Sequence, residues 1–101
     1  MKIDIINWIQ NWYQSQCDGN WEHEFGLTIT NTDNPGWDVE INLNETELDS
    51  LPFEKIKEDK GDNDWYYCLV RNNNFEGAGD PQKLNKILEV FKEWQEKSKL
   101  I

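Results

Sequence analysis

Basic residues are scarce in this chain, and scarcest where it begins. Ten Lys and Arg stand against twenty Asp and Glu, a formal net charge of -10 over 101 residues. Residues 1–54 hold 11 acids and one base, Lys2, whereas residues 55–101 hold 9 of each, so the whole excess belongs to the first half. A field of that sign repels nucleic acid and anionic lipid and attracts basic partners; the same acidity also keeps a protein soluble. Histidine occurs once and cysteine twice, with no Cys or His at metal-ligand spacing around Cys17 or Cys68. Both cysteines are read as reduced thiols, Cys68 as a small core residue, and no metal or cofactor is expected. Also missing are Gly-x-Ser-x-Gly and Gly-Lys-Ser/Thr, and only one His is present to activate any Ser or Cys. Enzyme mechanisms therefore lack parts. No apolar run approaches the roughly 20 residues of a spanning helix, and the start lacks the pattern of a secretion signal. The expectation is a cytoplasmic protein that binds neither membrane nor nucleic acid.

What is present is enough for one core. A chain with 37% apolar residues, six Trp, three Tyr and four Phe can fold as a single domain, residues 1–101. Ile5, Ile6, Trp8, Ile9, Trp12 and Tyr13 recur at helical spacing and predict an amphipathic helix over 3–16, stopped by a positive φ at Gly19. The period then changes to two. Phe25, Leu27 and Ile29 alternate with polar residues, as do Trp37, Val39, Ile41 and Leu43, and the turn formers at 31–36 join the two runs into a hairpin. After a polar connection at 44–52, residues 53–58 predict a short strand and the apolar run 65–70 a central strand buried on both faces. The Asn-rich and Gly-rich stretch 72–79 reads as a loop. Asp80 then caps a helix whose first residue is Pro81 and whose apolar stripe is Leu84, Ile87, Leu88, Phe91 and Trp94, as far as Lys97. The order predicts an α+β fold: a four-stranded antiparallel sheet with the N-terminal and C-terminal helices packed on one face.

Two clusters invite a chemical reading. Glu22, His23 and Glu24 set carboxylates beside the only histidine, but on a strand His23 points to the opposite face, so acidic surface is the better reading. Gly77 and Gly79 precede a helix as phosphate loops do, yet with no Lys and with Glu76 and Asp80 beside them they read as a helix entry turn. Trp21 and Trp37 lie near turns, where a ring either packs in the core or anchors a partner.

Several tryptophan-containing words recur in one order: Asn11 to His23, Asp33-Asn34-Pro35-Gly36-Trp37, Asp64-Trp65, and Asn74 to Gly79. In combination they resemble the immunity protein 53 family of bacterial polymorphic toxin systems, nearly end to end. The resemblance implies a cytosolic antidote that binds and neutralises a cognate toxin domain, a nuclease being one class of target, with no catalytic residues of its own. The acidic first half fits that role, with Asp18, Trp21, Glu22, Glu24, Trp37, Asp38 and Glu40 as the candidate partner-binding residues. Mutual repulsion at net -10 predicts a monomer when unbound. The alternatives are a general acidic adaptor module and, after it, a small hydrolase or metal-binding protein.

Overall fold

The structure, a computed structural model, describes residues 4–99; Ile3, where the first helix was expected to begin, lies outside them. Helix α1 spans Ile5–Gln16 and is capped by Asp4, whose carboxylate accepts the Asn7 N–H at 3.0 Å. It buries Ile5, Ile9 and Trp12. It ends because Cys17 turns to extended backbone; Gly19, at φ +96°, acts only afterwards, in the turn toward the next element.

That element is a helical turn, α2 (Trp21–Glu24), where the sequence reading runs extended. Its cause is local. Asp18 accepts hydrogen bonds from the Asn20 and Trp21 amides (2.9 and 3.0 Å), while Glu22 reaches back to the Asp18 and Gly19 amides (3.0 and 2.9 Å). This reciprocal arrangement satisfies amide donors as a capping box does.

The sheet has five strands, not four: β1 (Leu27–Thr32), β2 (Gly36–Asn42), β3 (Ile56–Asp59), β4 (Trp65–Arg71) and β5 (Asn74–Gly79). All neighbours are antiparallel in the order β1-β2-β5-β4-β3. The expected hairpin is β1–β2, with Ile29 opposite Val39. The added strand is the stretch read as a loop, and it takes the middle of the sheet. Asn72 and Asn73, at φ 53° and 59°, make the two-residue turn that folds β5 onto β4. The glycines of β5 disguise it, yet packing demands them: a Cβ on Gly77 would collide with Ile87 Cγ2, and one on Gly79 would lie 2.7 Å from Lys83 Cβ. With β5 central, β4 stands second from the edge and is not buried on both faces. Tyr66 and Cys68 are buried, while Trp65, Tyr67 and Leu69 are only half-buried.

Helix α3 spans Leu84–Ser98, starting later than the Asp80-Pro81 signal predicts. Asp80 is fully buried and its carboxylate is engaged elsewhere, accepting from the Trp65 amide (2.9 Å), the Gln82 amide (2.8 Å) and Lys83 Nζ (2.8 Å). Burial opposes its ionisation, but the Lys83 ammonium and the two amides outweigh it and hold the carboxyl below its usual range.

The register places Val39, Ile41, Phe75, Gly77 and Cys68 on one face of the sheet. Against it Ile87 meets Gly77 and Phe91 meets Phe75, ring centroids 5.1 Å apart; Trp12 of α1 packs edge-on to Phe91 at 4.9 Å. Tryptophans also fasten the connections. Indole N–H groups of Trp12, Trp21, Trp37 and Trp94 donate to Glu47, Asn44 O, Pro81 O and Pro52 O. Leu48 is fully buried, so the connection read as polar contributes to the core.

Candidate partner-binding surface

The chemistry-bearing cluster does not converge. Glu22, His23 and Glu24 follow one another on α2, and successive helical residues do not share a face. Among the described residues no group of three His, Cys, Asp or Glu is placed to hold a metal ion. Burial pushes the Cys68 thiol up to about 12, which keeps it protonated and unreactive. Cys17 Sγ donates to the Tyr13 carbonyl at 3.3 Å.

The acids singled out from the sequence fall in two places. Asp18, Glu22 and Glu24 surround α2. Two of these carboxylates are built into the backbone: the Trp21 and Asn20 amides hold Asp18 below the usual range, and the Glu22 amide, with those of Asp18 and Gly19, does so for Glu22. Glu24 is exposed. Asp38 and Glu40 lie on β2, alternate with buried Val39 and Ile41, and project from the opposite, exposed face of the sheet. There Glu40 stands directly across from Glu76, a like-charge pairing that disfavours the ladder. Arg71 binds Glu76 through two hydrogen bonds, the shorter 2.6 Å, but makes no ion pair with Glu40. Asp38 is opposite Ala78, beyond which Tyr67 stacks on Trp65 with centroids 6.4 Å apart.

The two aromatic candidates separate. Trp21 is 3% exposed and packs edge-on against Trp12 and Tyr13, so it is a core residue with no free ring to offer. Trp37 is half-buried and lines a shallow depression with Pro81, Leu84 and Leu88.

Sequence reasoning missed a groove. Ile6, Tyr13 and Ile29 are the exposed large apolar side chains among the described residues, at 49%, 38% and 36%, and all three line one groove of about 410 Å³ between α1 and β1. Ile9, Phe25 and Leu27 extend its walls, and Gln10 and Glu22 add polar groups. A clue was available. Ile6, Gln10 and Tyr13 form a second stripe at four- and three-residue steps beside Ile5, Ile9 and Trp12, so the apolar residues of α1 are too widely spread to meet one surface.

Charge divides along the same line as these features. Every ion pair among the described residues lies between Glu58 and Glu96. No Lys or Arg occurs from residue 3 to residue 54, which covers α1, α2, β1 and β2. Among the described residues, none of the acids of that half forms an ion pair with a Lys or Arg of the other half.

No curated protein and no solved structure matches the chain. The family model described as immunity protein 53 matches residues 6–96 of the 101. The chain therefore belongs to the immunity protein 53 family.

Proposed function

We propose that this chain is the antidote to a cognate toxin domain, which it binds and neutralises through protein–protein contact without chemistry of its own. It acts as a cytosolic monomer until the toxin arrives. The observation that carries this reading, beside family membership, is the stretch 3–54, which holds no Lys or Arg and whose acids make no ion pair among the described residues. Asp38 and Glu40 occupy an exposed sheet face, Glu24 lies on α2, and the only large exposed apolar side chains among the described residues gather in the groove nearby. The apolar groove on one face of the sheet and the carboxylates of Asp38 and Glu40 on the other together suit a partner that is basic and partly apolar. A nuclease domain, whose own substrate is anionic, has that character.

Co-expression with the toxin domain encoded beside its gene tests the reading, scored by co-purification and restored growth. Substituting Glu24, Asp38 and Glu40 together by Gln, Asn and Gln should slow association at low salt by roughly tenfold, with the deficit shrinking as salt is added. Glu22 stays in place because it caps α2. An unchanged on-rate removes the charge argument, and a toxin domain that neither binds nor is neutralised leaves the adaptor reading.

A further inference from the structure

Strand β1 ends the sheet and pairs only with β2. The Asn42 amide donates to the Gly26 carbonyl at 2.9 Å, and bonded pairs recur at every second residue of an antiparallel ladder. Thr28, Thr30 and Thr32 are therefore the bonded positions. The N–H and C=O groups of Leu27, Ile29 and Asn31 point outward, along a free edge. Natural sheets guard such edges with charge, proline or brevity. Over its six residues, Leu-Thr-Ile-Thr-Asn-Thr, β1 has no charged residue and no proline. Its helix-side residues Leu27 and Ile29 also form one wall of the apolar groove.

We propose that β1 receives an extended segment of the toxin domain as a sixth strand, and that this segment alternates basic and apolar residues. The inference rests on the immunity reading and names how that partner is held. Side chains of an added strand alternate between the two faces. On one face they lie beside Leu27 and Ile29 and enter the groove, which requires apolar residues. On the other they lie beside Thr28 and Thr30, whose direct partners on β2 are Glu40 and Asp38. Strands are spaced by about 5 Å, so a Lys or Arg on the added strand spans the threonine row and reaches those carboxylates. Charge argues against a second copy as the occupant, because it would bring another base-free hairpin against this one.

Two measurements decide it, both on the full chain with the toxin domain encoded beside its gene. Amide hydrogen exchange at Leu27, Ile29 and Asn31 should slow in the complex relative to the free protein, and this needs no variant. Ile29→Pro deletes one outward donor while leaving the Thr28 and Thr30 ladder bonds, a placement proline tolerates on an edge. With the fold checked by circular dichroism, it should weaken binding roughly tenfold. A complex that forms while all three amides exchange as in the free protein overturns strand addition and leaves the immunity reading standing. No complex at all overturns both. A dimer of the free chain protected at the same amides assigns the edge to a second copy and overturns the proposed occupant.

Discussion

At one end of the sheet β3 has four residues, and three of them, Lys57, Glu58 and Asp59, are exposed charges. At the other end β1 has six residues and none is charged. The contrast extends inward from each edge. On the β3 side Tyr66 Oη donates to Glu58 at 2.6 Å, Lys83 bridges Asp64 and Asp80 at 2.8 Å each, and Arg71 holds Glu76. On the β1 side Asp38 and Glu40 make no ion pair among the described residues, and Ile29 and Tyr13 leave apolar surface in water. One side of this domain pairs several of its charges internally and guards its edge with charge; the other leaves Asp38 and Glu40 without a cation and its edge uncharged. An unmatched surface of that kind is not needed for folding, and the base-free composition of residues 3–54 keeps it attractive to a basic partner.

The largest break in the contrast comes from undoing the internal matching. Asp80→Asn removes the buried carboxylate that ties β4 to the start of α3, and should cost about 2 to 3 kcal/mol in chemical denaturation. The pH dependence has a definite sign. Because the folded carboxyl is held below its usual range, its contribution is complete above that range and is lost as pH falls through the folded value. The gap between wild type and variant should therefore narrow on acidification; a constant gap would assign Asp80 a steric role only.

A smaller effect on stability, with a large one on binding, is expected from making β1 resemble β3. Thr28→Lys with Thr30→Lys places two cations opposite Glu40 and Asp38, on an exposed edge where folding should change by less than about 0.5 kcal/mol. Affinity for the toxin domain should nonetheless fall roughly tenfold or more, since like charge now meets a basic partner. Titration calorimetry beside thermal melts separates the two quantities, and parallel losses in both would mean that the edge serves the fold. The smallest effect belongs to Glu40→Gln. Relieving the like-charge pairing with Glu76 should stabilise the sheet by about 0.3 kcal/mol in a denaturant titration. Destabilisation instead would show that Arg71 serves both carboxylates.

Much of this architecture was legible along the chain. The three- and four-residue steps of α1 and α3 and the alternation of β1 and β2 are local signals, and each element forms where its period places it. Two elements were not legible for opposite reasons. In β5 the residues that disfavour strands, Gly77 and Gly79, are present because α3 and β4 approach too closely for a Cβ, a cause that lies far along the sequence. In α2 the residues Glu22, His23 and Glu24 were read on an extended chain, but the carboxylates of Asp18 and Glu22 capture four amides and turn it helical.

The sequence by itself determined the acid excess, its confinement to the first half and the family to which the chain belongs, because each of these is a property of residue identity and order. Tertiary structure alone decided which candidates reach the surface. Trp21 is withdrawn into the core, Asp38 and Glu40 are left on an open face, and Ile6 and Tyr13 of α1 are brought together with Ile29 of β1 in one groove. Exposure depends on what packs against a side chain, and those neighbours come from distant segments whose arrangement no local pattern encodes.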